Sequence, residues 1–219
     1  MAVAAVIAVG ASIGALGYLA AADDKAGAAA PAAAPAPAAA PAPAAAPAAA
    51  GDAATNGLQK AVTLPDGCLS QEGAKYEDGK WVLPDGTPTY HICKKDGTFV
   101  VDWATYNGYR RYHSECHVCH GPNALGSSYA PALHNSLQNM TYSDFIGTVA
   151  SGRVRDAAGT KFVMPAFGDN KNVMCFINDL YTYIKARSSD GLPAGQLGGR
   201  NRDEKPEEAK AAEKACLGS

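Results

Sequence analysis

The chain opens on an unbroken apolar run and then loses all periodicity. Met1 to Ala22 carries no charged residue, and a run of about 20 apolar residues is long enough for a membrane helix. The same stretch ends in Ala20-Ala21-Ala22 before Asp23, a small-residue cleavage site. Residues 1–22 are therefore read as a signal sequence or a membrane anchor, and either one means export. Residues 26 to 50 repeat Ala and Pro without charge, a composition that cannot pack and favours extended polyproline-like chain. Residues 23–64 are expected to be a disordered linker. From residue 65 to 101 the pattern changes to short runs rich in Tyr, Trp, Val, Ile and Thr, punctuated by Asp78-Gly79, Asp85-Gly86 and Asp96-Gly97. Asp-Gly supplies the positive φ angles of tight hairpin turns. The spacing predicts a β-meander with strands over Lys80 to Leu83, Thr89 to Cys93 and Thr98 to Val101.

A helical period begins at Asp102, with Gly108, Tyr112 and Cys116 at four-residue spacing up to Glu115. A second helix is expected from an N-cap at Ser143 through Phe145, Ile146 and Val149 to the stop at Gly152. A third is expected from Asn172 to Arg187, with Phe176, Ile177, Leu180, Tyr183 and Ile184 on its apolar side. Beyond Ser188 the chain is polar and Gly-rich until Pro206, which suits a first helical position. Glu207 and Glu208 suit the positive end of a short helix ending at Gly218, and Lys214 suits its negative end. The expected fold class is all-α: a helical domain over 102–187, the β-meander of 65–101 before it, and a C-terminal extension over 188–219.

Composition sharpens this picture. Every His and Cys lies beyond residue 60, and the net charge is −2 with the signs interleaved. No basic stripe exists to neutralise phosphates, which excludes nucleic acid as a partner. Six cysteines is an even number and points to an oxidising compartment.

The sharpest chemical signal is Cys116-His117-Val118-Cys119-His120. Two thiols separated by two residues lie on one helical turn and can add to the two vinyl groups of haem, while the following histidine points its imidazole at the iron. A zinc site would want a second close cysteine pair, and a redox dithiol would want a βαβ setting. With Cys116 and Cys119 committed to haem c, Cys68, Cys93, Cys175 and Cys216 remain, and four cysteines permit three pairings. Cys68 with Cys93 and Cys175 with Cys216 is preferred, because each pair ties an appendage to itself or to the core. The sixth iron ligand is sought among Met140, Met164, Met174, His91, His113 and His134. Met164 stands in Val163-Met164-Pro165-Ala166-Phe167, read as a loop between two helical stretches and stiffened by Pro165. His134 is its main rival; His113 and His117 cannot readily swing to the far face of the haem.

Gly108, Tyr112, the Cys116–His120 motif, Ala130-Pro131-Ala132-Leu133, Met164-Pro165-Ala166-Phe167 and Leu180 with Tyr183-Ile184 together resemble a class I cytochrome c domain. The resemblance implies that the first and last helices cross, and that the carbonyl of Pro131 accepts the ring N–H of His120. Over residues 85 to 216 the chain is similar to the four-cysteine c-type cytochromes of methanol metabolism. That resemblance rests on Tyr109-Arg110-Arg111-Tyr112-His113-Ser114-Glu115, Val149 to Arg153, Met164 to Gly168, Asn172 to Cys175 and Cys216. It implies one covalently bound haem c, ligated by His120 and Met164, in a periplasmic electron carrier rather than an enzyme. The implied donor is a PQQ-dependent quinoprotein alcohol dehydrogenase, and the implied acceptor is a terminal oxidase or another cytochrome. Two alternatives stay open: a membrane-anchored electron-transfer subunit of a respiratory complex, and a haem enzyme or gas sensor with an open sixth position.

Overall fold

Asp-Gly turns organise the first part of the computed structural model, which describes residues 60–157, 159–195, 197–199 and 201–218. The expected signal or anchor and nearly all of the expected linker lie outside these residues. Seven short strands come first: β1 (Val62–Thr63), β2 (Leu69–Ser70), β3 (Lys75–Glu77), β4 (Lys80–Val82), β5 (Pro88–Thr89), β6 (Ile92–Lys95) and β7 (Thr98–Val101). Asp78 and Asp96 adopt φ of 47° and 48°, the left-handed conformation that aspartate tolerates and a two-residue hairpin demands. They close the β3–β4 and β6–β7 hairpins. The strands do not form one meander. They sort into a four-stranded antiparallel sheet, β1-β2-β6-β7, and a three-stranded one, β3-β4-β5.

The helical part follows at once. Asp102, 4% exposed, caps α1 (Trp103–Glu115) by accepting from the Thr105 backbone N–H at 3.0 Å and the Thr105 hydroxyl at 2.5 Å. Its second oxygen also accepts from the backbone N–H of His91 at 2.8 Å, which ties the helix start to the sheet. After α2 (His117–His120) and α3 (Leu133–Ser136) comes α4 (Tyr142–Ser151), whose N-cap is Thr141 and not the expected Ser143. Thr141 and Asp144 bond reciprocally as a capping box, which uses both orphan ends and fixes the start two residues earlier. A hairpin of β8 (Arg153–Ala157) and β9 (Thr160–Met164) follows. The expected helix over Asn172 to Arg187 is two helices, α5 (Lys171–Met174) and α6 (Ile177–Ser188), broken where Phe176 leaves helical φ at −124°. The chain closes on α7 (Glu207–Leu217).

The fold class is thus not all-α. Nine strands in three sheets stand beside the helices among the described residues, so the chain is mixed α and β. Two of the causes are physical. Strands of two or three residues leave no period to count, and β9 runs into the segment whose sequence reads as a loop around Met164. The core is shared between the two kinds of element: Ile92 and Val101 from the strands, with Tyr90 from the link between β5 and β6, are buried in one cluster with Tyr112, Leu180, Tyr183 and Ile184 from α1 and α6. Gly108 is what lets those two helices meet, since a Cβ there would stand 1.8 Å from the carbonyl oxygen of Asp179. Asn107 alongside donates to the Asp179 carboxylate at 2.6 Å. The segment before α7 is stitched to the end of β7 through Val101 N–H to Asn201 O at 3.1 Å and Asp203 N–H to Val101 O at 2.9 Å. The Arg202 guanidinium sits 4.8 Å from the Trp103 ring centre.

Candidate functional site

The helical turn that ends α1 continues into α2 and lines up the candidate cofactor residues. Cys116 donates its N–H to Tyr112 O at 2.9 Å, and His120 donates to Cys116 O at 3.0 Å. Cys116 is half-buried and Cys119 exposed; both are free thiols. Burial pushes the Cys116 thiol up to about 12. The structure joins Cys68 to Cys93 and Cys175 to Cys216, so Cys116 and Cys119 alone keep open sulfurs.

His120, 8% exposed, places Nδ1 2.9 Å from the carbonyl of Pro131. A carbonyl can only accept, so Nδ1 carries the proton and the lone pair lies on Nε2. Burial lowers the imidazole pKa, opposed by the Pro131 bond, and this favours the neutral, ligating form. The loop from 121 to 132 is pinned to deliver that carbonyl. Gly126 N–H bonds His120 O at 2.9 Å, Ser127 Oγ bonds Cys119 O at 2.5 Å, and Tyr112 Oη bonds Gly121 O at 2.5 Å. Arg187 reaches from α6 to Asn123 O at 3.1 Å and Leu192 O at 2.8 Å.

Met164 is mounted differently. It is the last residue of β9, paired across the hairpin with Arg153, and its half-buried side chain packs against the core. The segment after it is sewn onto the end of α4 by Phe167 N–H to Val149 O and Gly168 N–H to Ala150 O, both 3.0 Å. Gly152, at φ 71°, makes the approach possible: a Cβ there would lie 2.6 Å from Met164 O and 2.8 Å from Ala166 N. Met164 therefore ends a strand that is clamped by backbone contacts. These clamps and the Arg187 bonds were missed by sequence reasoning. The alternation Arg153-Val154-Arg155 against Lys161-Phe162-Val163 was the available signal for the hairpin.

The rival ligands are engaged elsewhere. His134 has Nδ1 3.0 Å from Asn135 Oδ1 and Nε2 3.2 Å from Asp190 Oδ1. His91 bonds Asp66 at 2.7 Å and stacks on Trp81 with ring centres 3.9 Å apart. Met140 and Met174 are partly buried against the core. A cleft of about 500 Å³, open to solvent, is lined by Asn135, Ser136, Asn139, Met140, Asp144, Thr148 and Arg153. It holds none of Cys116, Cys119, His120, Pro131 or Met164, so it is adjacent to the candidate donors through Arg153 and is not their pocket.

The residues present fit a haem. Open sulfurs and an oriented neutral imidazole share one helical stretch, a donor set suited to covalent porphyrin attachment. Large exposed apolar side chains also gather on the segments that carry the candidate ligands: Val118, Leu125 and Tyr129 on one side, Val154 and Val163 on the other. A large apolar cofactor would cover such surface, which a lone domain rarely leaves bare.

No family profile matches the chain. It is 44% identical over 165 residues to cytochrome c-553I of Paracoccus denitrificans, covering 75% of this chain and 69% of that one. It is 45% identical over 98 residues to cytochrome c-555 of Methylococcus capsulatus, covering 44% of this chain and 73% of the relative. The crystal structure of the c-type cytochrome XoxG from Methylobacterium extorquens AM1 superposes with a TM-score of 0.59 at 53% identity, covering 66% of this chain and 86% of that one. Identity at this level, on a chain whose open thiols and carbonyl-bound histidine are already assembled, fixes the family: the protein belongs to the c-type cytochromes, which are electron-transfer proteins and not enzymes.

Proposed function

We propose that this cytochrome holds one haem c, bound covalently through Cys116 and Cys119 with His120 and Met164 as axial ligands. In this reading it carries single electrons in the periplasm from a PQQ-dependent methanol or alcohol dehydrogenase to an oxidase or another cytochrome. The observation that carries the haem reading is the His120–Pro131 bond beside two open thiols. When bound, the haem supplies a one-electron Fe(III)/Fe(II) couple. Pro131 holds the His120 ring in one tautomer and raises its basicity as a ligand. The Gly152 clamp holds Met164 in place, and a methionine ligand paired with histidine would favour a high reduction potential. A high-potential carrier suits electrons arriving from a reduced quinone cofactor, and the resemblance over residues 85 to 216 supports that donor.

Docking charges follow from exposure. Arg110, Arg153 and Arg155 are exposed. Arg111 is not free to steer a partner: its guanidinium lies 3.5 Å from the Phe176 ring centre, and burial lowers its pKa. Among the described residues no helix is long and apolar enough to cross a membrane. Stopped-flow mixing of the oxidised cytochrome with reduced methanol dehydrogenase across a salt series tests the reading. Reduction within dehydrogenase turnover, slowing as salt rises, is expected, because exposed charges are screened beyond about 8 Å at physiological salt. Absence of reduction would remove this donor, and salt-independent reduction would remove the arginines as steering charges.

A further inference from the structure

One cluster of ligating side chains lies outside the haem donors. His113 and His117 are four residues apart, the spacing that puts two side chains on one helical face. Helical bonds flank the pair on either side, Cys116 N–H to Tyr112 O at 2.9 Å and Gly121 N–H to His117 O at 2.8 Å, with Cys116 as the junction between α1 and α2. Their ring centres are 5.4 Å apart with planes only 23° from parallel. Two imidazoles sharing one tetrahedral ion, each with a metal–nitrogen bond of about 2.0–2.1 Å, have their ring centres roughly 5 Å apart. The observed spacing needs little adjustment to admit an ion.

The hydrogen bonds point the same way. His113 Nδ1 is 2.8 Å from the carbonyl of Tyr109. That carbonyl can only accept, so Nδ1 carries the proton and Nε2 carries the lone pair. A ring N–H given to a backbone carbonyl is the arrangement that orients a metal-ligating histidine. His117 Nδ1 is buried and has no hydrogen-bond partner. A buried polar atom left unpaired carries its full desolvation cost, and an ion or an ordered water is the usual explanation where one persists.

We propose that His113 and His117 form a binding site for a divalent transition-metal ion, with water completing the coordination. Two neutral imidazoles suit Cu(II) and Zn(II), and Cu(II) should bind the more tightly. The site needs none of Cys116, Cys119, His120 or Met164, and its second imidazole lies inside the haem-attachment motif at a position that attachment itself does not use. Among the described residues the one larger group of clustered ligating side chains is Cys68, His91 and Cys93. The disulfide between its two sulfurs removes that group as a metal site.

The test is calorimetric titration of the purified oxidised holoprotein, freed of any affinity tag, with Cu(II) and separately with Zn(II) in a non-chelating buffer. One saturable site per chain is expected, tighter for Cu(II). Affinity should fall about tenfold or more in His113→Asn and in His117→Asn and stay unchanged in His134→Asn. Because His117→Asn could lower haem attachment, a second measurement uses the unaltered protein: Zn(II) should protect His113 and His117 from carbethoxylation, read by peptide mass mapping. Absence of saturable binding, undiminished affinity in both variants, or equal modification of the two histidines with and without Zn(II) would each overturn the site.

Discussion

The two sides of the candidate haem site are built by opposite means. On one side Cys116, Cys119 and His120 occupy five consecutive residues, and one helical turn does the assembling. The other side has a single candidate donor, Met164, whose position depends on a hairpin, a glycine and two backbone bonds to the end of α4. A ligand set encoded by local spacing is robust to the rest of the fold. One that depends on tertiary approach of backbone is exposed to any change along the way.

The comparison breaks most completely at the cysteines. Cys116→Ala with Cys119→Ala should abolish covalent haem, read as loss of haem staining on the denatured polypeptide; haem that survives denaturation in that variant would refute the attachment. Next is the support beneath the local side. Gly108→Ala drives a methyl into the backbone of Asp179, and since neither helix can yield cheaply a loss of about 3 kcal/mol or more is expected, measured by denaturant unfolding. On the far side, Gly152→Ala combines a positive-φ extended backbone that glycine alone adopts readily, costing roughly 1–3 kcal/mol, with a clash against the Met164 segment. It should weaken the long-wavelength absorption band of methionine-ligated ferric haem. Met164→Ala should remove that band, while Met140→Ala and Met174→Ala should keep it. Loss of low-spin ligation in His134→Ala with the Met164→Ala spectrum intact would reassign the ligand.

The smallest effect concerns pH and the helix crossing. Burial pushes the Asp179 carboxyl up from 3.8 to about 7, partly opposed by the Asn107 hydrogen bond. A folded-state pKa above the unfolded value means that the folded chain holds this proton more tightly. Its stabilising contribution is full below about pH 4 and is lost as pH rises through about 7. Asp179→Asn stays neutral throughout, so its melting temperature should exceed that of the parent above pH 7 and converge with it near pH 4. Parallel melting curves across that window would show that Asp179 is not buried as described.

The same contrast explains what was legible in the sequence. α1 was visible because Gly108, Tyr112 and Cys116 recur at helical spacing, and the hairpin turns because Asp78-Gly79 and Asp96-Gly97 carry their own backbone chemistry. The all-α reading failed where elements were too short or too contextual to show a period: the two-residue strands β1, β2 and β5, and the β8–β9 hairpin. The third helix reads as one continuous helix in the sequence because Phe176 continues an apolar stripe while its backbone breaks. His120 and Pro131 are 11 residues apart, and their bond is set by a loop pinned from three helices, by Tyr112 of α1, Cys119 and His120 of α2 and Arg187 of α6. No local pattern encodes those pins, and only the resemblance supplied the partner.

The order of the cysteines along the chain has a consequence for assembly. Cys68–Cys93 closes entirely before residue 116 and Cys175–Cys216 entirely after residue 119, so neither covalent loop encloses the proposed haem-attachment motif. A chain that emerges N-terminus first can seal one ring with each newly arrived neighbour and present Cys116 and Cys119 with no earlier thiol left open. The next cysteine is more than fifty residues behind them, so through that interval the one thiol partner open to either is the other. Linear order alone thereby keeps both structural disulfides from drawing on the two sulfurs proposed to hold haem.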